Sequence, residues 1–394
     1  MAERNTGALV GAVVGGAAAA VAVGVVGTAA IGTALARLVV TPARRPEERV
    51  SIEGVERRDG TALVWLRGED VALPGRYSLL FDEGAGHARV GEVLERRAGA
   101  VARAVLAVDR GQLRPGGRGR ITGWWFTGPE DLEYRVEAIT YPTELGDAPA
   151  WIIRPKFARK RRWAIHVHGR GAQPEETLRG VAPLARAGIT SLVIAYRNDT
   201  DAPAGERGRY GAGVSESRDV DAAIAEALRR GAERVTLFGW SMGGTACLIA
   251  AARGEHVDAI DGLILDSPAI DWPSLLRHQA GGMRVPGPVA GVGIRMLDRG
   301  WVRGGEPKGI PLESLVPETF ARELRVPVLL HASSKDTFVP SEPAEQLARL
   351  RPDLVQLRLQ ESGEHVKLWN VDPEPWERAT ESFARALPRP PWRG

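Results

Sequence analysis

The fold is decided by the stretch from Val235 to Ala251, which reads VTLFGWSMGGTACLIAA. It begins as a short apolar run of strand length and ends in residues that favour a helix. Residues 239–243 between them match G-x-S-x-G in the strand–turn–helix context that this pattern requires. Such a turn presents its serine at a helix N-terminus, where free N–H groups favour developing negative charge. Ser241 is therefore the candidate nucleophile, and a glycine-rich packing turn is the alternative.

Apolar runs of strand length recur on both sides of this stretch, and from about Tyr134 they alternate with helical patterns such as residues 219–230. Short continuous apolar strands separated by helices are typical of a mostly parallel sheet covered on both faces. We predict an α/β fold with a mostly parallel central sheet and helices on both faces. Its ligand site should lie at the carboxyl ends of the strands. The apolar runs are residues 164–168, 191–196, 235–238, 263–265 and 328–330.

A serine hydroxyl needs a base to remove its proton, and in such a sheet the chain order is nucleophile, acid, base. His365 follows the strand-like residues 355–359 and lies in a loop from which a base can reach over the sheet. We predict His365 as the base, with an exposed loop histidine as the alternative. The other histidines precede Ser241 or lie in a polar turn, an irregular segment or an apolar strand: His87, His166, His168, His256, His278 and His331.

The acid that orients the base should follow a strand between Ser241 and His365. Asp336 follows the apolar run 328–332 and is favoured by its loop position and its place in the chain order. Asp266, at the end of the run 263–265, is the rival, and its alternative role is to cap the next turn.

An oxyanion is stabilised by backbone N–H donors. One donor should be Met242, directly after the nucleophile, and the second should come from the glycine-containing loop 168–171. We predict Arg170 as the second donor, with Gly169 as the runner-up. His168 is expected to orient this loop by hydrogen bonding.

Together these residues resemble the α/β-hydrolase superfamily, over about residues 134–387. The finer motifs YRND (196–199), WSMGG (240–244) and HVKLWN (365–370) are similar to an actinobacterial esterase/lipase-like or serine-aminopeptidase-like branch. The resemblance implies hydrolysis of a carboxylic ester, thioester or amide through an acyl-serine, with no metal and no organic cofactor. A peptidase or amidase with the same triad stays open, as does an inert binding protein on the same fold.

The alternation of strands and helices lapses at residues 268–317, where such folds place a lid. This insertion is rich in Gly, Pro and apolar residues. A lid with an apolar inner face predicts a small-molecule substrate with an apolar acyl or alkyl group, an ester or lipid-like molecule. Simple packing over the sheet is the alternative.

No charged residue lies between Arg4 and Arg37, a longer stretch than the about 20 apolar residues that a membrane span needs. Small residues recur in it every four positions, a spacing that lets two helices approach closely in lipid. Residues 1–40 are therefore predicted to be a transmembrane segment with a possible self-association face, and a cleaved or disordered leader is the alternative. Arginines follow the stretch, which favours a membrane-anchored protein whose catalytic domain is cytoplasmic.

Residues 41–132 are predicted to be a linker and a β-rich accessory unit, and residues 133–394 the catalytic domain. Residues 77–81 and 88–93 flank a glycine-containing turn and predict a hairpin. The aromatic run 124–126 could line a ligand site, but a core or interface role is favoured.

The composition argues against a nucleic-acid-binding protein and against a fold held by disulfides or cysteine-bound zinc. The chain has 394 residues, with 52 basic and 49 acidic side chains and a net charge of +3. The basic residues, mostly arginine, form no stripe interleaved with aromatics, so no nucleic-acid partner is expected. A single cysteine, Cys247, excludes internal disulfides and cysteine-based zinc clusters. It is expected to be a small buried residue on the helix after Ser241.

Overall fold

The structure is a computed structural model that describes residues 27–42, 47–158 and 161–388. Its described strands form two separate β-structures, a closed barrel and an eight-stranded sheet.

The barrel contains six antiparallel strands in the order β1-β2-β5-β4-β3-β6. It is the predicted β-rich unit, and the predicted hairpin is confirmed because Tyr77 pairs with Val90. Alternate residues such as Val64 and Leu66 fill the interior, as the two-residue period of a strand requires. The strands are β1 (Val50–Arg58), β2 (Thr61–Gly68), β3 (Tyr77–Phe81), β4 (Gly86–Arg97), β5 (Ala100–Arg110) and β6 (Arg118–Thr122).

The sheet has the order β14-β13-β12-β11-β9-β10-β8-β7. The six strands from β9 to β14 pair in parallel, whereas β7 and β8 are antiparallel additions at one edge. The prediction of a mostly parallel sheet is therefore confirmed. The strands are β7 (Arg135–Thr143), β8 (Gly146–Arg154), β9 (Arg162–Val167), β10 (Thr190–Ile194), β11 (Arg234–Trp240), β12 (Ile260–Asp266), β13 (Val328–Ser333) and β14 (Val355–Gln360).

Helices cover both faces of the sheet. They are α1 (27–40), α2 (Val181–Arg186), α3 (Glu216–Arg229), α4 (Met242–Arg253), α5 (Trp272–Gly282), α6 (Gly287–Asp298), α7 (Pro317–Glu323), α8 (Glu342–Leu350), α9 (Leu368–Val371) and α10 (Pro373–Ala386). On β11, Leu237 belongs to the core on the α3 and α4 side, together with Cys247. Its neighbour Phe238 belongs to the core on the opposite side, together with Trp376 of α10. This double burial explains why the central strands read as continuous apolar runs.

The predicted membrane-spanning helix is not supported. Among the described residues no helix is long and apolar enough to cross a membrane. Residues 1–26, which make up most of the predicted span, lie outside the described residues. The described remainder, α1, packs against α6 of the same chain. A Cβ on Gly32 would lie 3.1 Å from the backbone nitrogen of Gly293, so the small residues bring these two helices together.

The aromatic run 124–126 lies where the barrel meets the sheet. The ring centroids of Trp125 and Phe126 lie 6.0 and 6.4 Å from that of Trp369 on α9. This placement agrees with the interface role.

Candidate active site

Ser241 lies in a sharp turn between β11 and α4. Its backbone has φ 51° and ψ −118°, a strained conformation for a residue with a side chain. The neighbouring glycines allow the turn, because a Cβ on Gly239 would lie 2.6 Å from the Gly243 carbonyl oxygen. A Cβ on Gly243 would in turn lie 2.2 Å from the Val167 carbonyl oxygen. The G-x-S-x-G pattern is therefore a packing requirement of this turn, and it presents Ser241 at the carboxyl end of β11.

The predicted nucleophile, base and acid lie in one hydrogen-bonded row. The distance from Ser241 Oγ to His365 Nε2 is 2.9 Å, and His365 Nδ1 lies 2.8 Å from Asp336 Oδ2. The second carboxylate oxygen of Asp336 accepts from the backbone N–H groups of Phe338 and Val339, at 2.9 and 2.8 Å. Asp336 is thus fixed by its own turn and directs one oxygen at the imidazole.

Asp266, the rival acid, has other partners. Its carboxylate accepts from Trp376 Nε1 at 2.8 Å and from Ser267 Oγ at 3.0 Å. Burial raises the pKa of Asp266 to about 6. The structure therefore places Asp336, and not Asp266, in hydrogen-bond contact with His365.

The three candidate oxyanion donors differ in whether their backbone N–H groups are already hydrogen-bonded. Met242 is the first residue of α4, and neither its N–H nor that of Arg170 has a hydrogen-bond acceptor within the described part of the chain. The structure shows the runner-up, Gly169, with its N–H already hydrogen-bonded. Its N–H donates to Glu176 Oε2 at 2.8 Å, so it is already engaged. Met242 and Arg170 are left as the candidate pair.

His168 orients the loop that carries Arg170. Its Nδ1 lies 2.9 Å from the Gly169 carbonyl oxygen and its Nε2 lies 2.8 Å from Asp199 Oδ2. Neither acceptor has a proton to donate, so this geometry suits a ring that is protonated on both nitrogens. Burial lowers the pKa of His168, but the Asp199 carboxylate outweighs burial and raises it. The ring also stacks on Tyr196, with 4.2 Å between centroids.

The barrel also supports the site, through the loop 69–76 between β2 and β3, here called the clamp loop. Its Asp70 accepts a hydrogen bond from Lys367 Nζ, two residues after the base. The N–H of Arg76 donates to the Asn370 carbonyl oxygen at 2.9 Å, and the Asn370 side chain donates back to the Arg76 carbonyl oxygen at 2.9 Å. The segment that follows His365 is therefore bound to the barrel at two points, just before α9 through Lys367 and within α9 through Asn370.

A buried arginine holds the clamp loop in shape. The Arg103 guanidinium donates to the carbonyl oxygens of Val71, Leu73 and Gly75 within that loop. Local sequence patterns do not predict this support. The lone signal for it is an arginine in the otherwise apolar start of β5.

A cavity of about 390 Å³ lies over Ser241. Polar residues of the clamp loop and of the segment after His365 line one side: Glu69, Asp70 and Lys367. Apolar residues of α5 line the other: Trp272, Leu275 and Leu276.

One described group has the spacing of a metal site, and it lies away from this cavity. Asp221, Glu255 and His256 could each offer a ligand atom. Glu255 and His256 follow the end of α4 that is opposite to Ser241, and their N–H groups donate to the carboxylate of Asp221 on α3 at 2.8 and 3.3 Å.

Comparison with known proteins agrees with this architecture. The α/β-hydrolase fold family matches residues 167–284, and a domain of unknown function (DUF8805) matches residues 51–122. No curated protein matches the sequence.

Two solved structures show how far the likeness extends. An esterase of Pyrococcus furiosus, Pf2001, is 19% identical, with a TM-score of 0.50 over 66% of this chain and 96% of the esterase. An acylaminoacyl peptidase of Pyrococcus horikoshii is 17% identical, with a TM-score of 0.50 over 85% of this chain and 56% of the peptidase. At these identities the likeness shows the fold alone: the eight-stranded sheet and its helices have an α/β-hydrolase fold.

Proposed function

We propose that this protein is a serine hydrolase that cleaves a carboxylic ester through an acyl-serine intermediate. The observation that carries the proposal is the row Ser241 Oγ, His365 Nε2, His365 Nδ1, Asp336 Oδ2, with contacts of 2.9 and 2.8 Å, at the carboxyl end of the sheet. The family match over residues 167–284 and the fold of the esterase Pf2001 support it.

In the first half of the reaction, Ser241 Oγ attacks the ester carbonyl carbon while His365 Nε2 takes the hydroxyl proton. Asp336 holds the imidazole through Nδ1 and stabilises the imidazolium. The negative charge on the carbonyl oxygen is stabilised by the N–H groups of Met242 and Arg170. The imidazolium then gives its proton to the leaving alkoxide, and the carbon–oxygen bond breaks to leave the acyl-serine.

In the second half, a water molecule attacks the acyl-serine while His365 takes one of its protons. The tetrahedral intermediate collapses, the proton passes to Ser241 Oγ, and the carboxylic acid leaves. Each step uses the same base and the same oxyanion donors, so the proposal needs no group beyond these residues and water.

The cavity over Ser241 supports an apolar substituent on the substrate. Its α5 side offers the side chains of Trp272, Leu275 and Leu276, all of them buried. Hydrocarbon surface removed from water here contributes to binding in proportion to its area.

The test is turnover of nitrophenyl acetate and labelling by a fluorophosphonate. Ser241→Ala should lower kcat by at least about 10⁴-fold and remove the label, because the nucleophile is gone. Ser382→Ala, an exposed serine on α10, is the matched control and should leave both unchanged.

Unchanged turnover in Ser241→Ala would refute the assignment. Absence of any label in the parent protein would instead favour an inert binding protein. Faster turnover of aminoacyl arylamides than of esters would favour the peptidase alternative.

A further inference from the structure

A second cavity, of about 800 Å³, lies between α1 and the two helices α5 and α6, and is here called the α1 chamber. The side of α1 contributes Leu35, Ala36 and Val39, and α6 contributes Ile294 and Leu297. These side chains are all apolar, and the volume is within the usual range for a ligand pocket.

The α1 chamber adjoins the cavity over Ser241. Six residues line both spaces: Val39, Arg170, Leu276, Gln279, Thr337 and Phe338. Val39 and Leu276 stand at this junction from opposite helices, α1 and α5. An apolar chain attached to a carbonyl group at Ser241 would enter the chamber between these two side chains.

The chamber wall is built into the catalytic domain. Ala36 and Val40 are buried in the same core as Leu237 of β11. At the end of α1 the Arg170 guanidinium donates to the carbonyl oxygens of Leu38 and Val39, both at 3.4 Å. A cation is favourable there because the C-terminal carbonyls of a helix carry partial negative charge.

We propose that α1 and α6 form a hydrocarbon subsite that holds the apolar chain of the ester substrate, so that α1 sets the preferred chain length. This inference rests on the proposed function for its catalytic readout. Each methylene that enters the chamber should raise kcat/KM by up to about fourfold, until the chamber is filled.

The first test is a series of nitrophenyl esters with acetyl, octanoyl and palmitoyl chains. Val39→Trp should obstruct the junction and lower the ratio of kcat/KM for the palmitoyl ester to kcat/KM for the acetyl ester at least about tenfold. Ile31→Trp is the matched control, because Ile31 is exposed on α1 and lines neither cavity. An equal loss for acetyl and palmitoyl esters, or an unchanged chain-length profile, would overturn the subsite.

The second test separates failure of the subsite from failure of the proposed function. A fluorescent fatty acid is titrated into the full-length Ser241→Ala protein, in which no turnover is required. It should bind, and adding Val39→Trp should weaken binding at least about tenfold while Ile31→Trp does not. Equal binding in the three proteins overturns the subsite whatever the outcome with esters. If Val39→Trp weakens fatty-acid binding but the parent protein has no esterase activity, the subsite is supported and the proposed function is refuted.

Discussion

The two sides of the cavity over Ser241 are built from different kinds of interaction. The barrel side is polar, and directional hydrogen bonds cross from it to the segment after His365: Lys367 donates to Asp70, and Arg76 and Asn370 bond each other through two contacts. The α5 side is apolar, and its buried Trp272, Leu275 and Leu276 present surface without directed bonds. Hydrogen bonds fix a group to a narrow range of positions, whereas apolar contacts are non-directional. For the proposed reaction, this difference predicts that the barrel side positions His365 and that the α5 side accommodates the substrate.

The largest expected effect belongs to the polar machinery itself. Asp336→Asn should lower kcat about 10⁴-fold, because an amide NH₂ facing His365 Nδ1 favours the wrong tautomer. The loss should be the same for acetyl and palmitoyl esters. The measurement is kcat across the ester series. A loss of kcat that grows with the length of the acyl chain would contradict the division of roles between the two sides.

A smaller effect is expected on acid stability. Burial lowers the pKa of His166 to about 3, and burial likewise lowers that of His331 to about 3. Below pH about 6.5 these two histidines are protonated in the unfolded chain but stay neutral in the folded protein. The free energy of unfolding therefore falls as the pH drops from about 6.5 to about 3. His166→Gln should reduce this fall by a few kcal/mol, on the order of 1.4 kcal/mol per pKa unit.

Urea unfolding at pH 7 and at pH 4.5 measures the effect. The comparison between parent and variant isolates His166, because Asp266, whose pKa is raised to about 6 by burial, acts in the opposite direction in both proteins. An identical pH dependence in the two proteins would contradict the prediction.

The smallest expected effect is on the barrel side. Asp70→Asn weakens the ion pair with Lys367, which is partly buried, and should lower kcat by up to about tenfold for all chain lengths through looser positioning of His365. The kcat should fall more than KM rises, since the substrate contacts are kept.

Glu69→Gln is the matched control for that variant. It removes the same charge from the same loop and the same cavity wall, but Glu69 pairs with the exposed Arg49 at 3.1 Å instead of with the segment after His365. If the two substitutions lowered kcat equally, the barrel would act on the site only through its negative charge and not by positioning His365.

The parts of the site that sequence could predict are local or follow a chain order. Ser241 was found because strand, turn and helix are contiguous, and the glycine spacing is dictated by contacts within that turn. His365 and Asp336 follow from the order of strands in the fold. The hydrogen bond from the Gly169 N–H to Glu176 could not be predicted, because the sequence does not indicate which N–H group donates to an acidic residue seven positions later.

The clamp loop and the packing of α1 depend on contacts between distant parts of the chain, which sequence patterns do not predict. Asp70 and Lys367 are 297 residues apart in the chain, so nothing in the local pattern joins them. The uncharged, small-sided N-terminal stretch predicted a helix that packs closely on another helix. Composition alone does not say whether that second helix lies in a membrane or, as for Gly32 and Gly293, in the same chain.

The burial of Cys247 has a practical consequence for chemical labelling. This thiol has no exposed surface in the core on one face of the sheet, and burial raises its pKa, so it offers neither access nor thiolate to an electrophile. It is also the one cysteine of the whole chain. The folded protein should therefore remain unlabelled at this thiol when it is treated with iodoacetamide, and covalent capture of the folded protein by an electrophile does not report on Cys247.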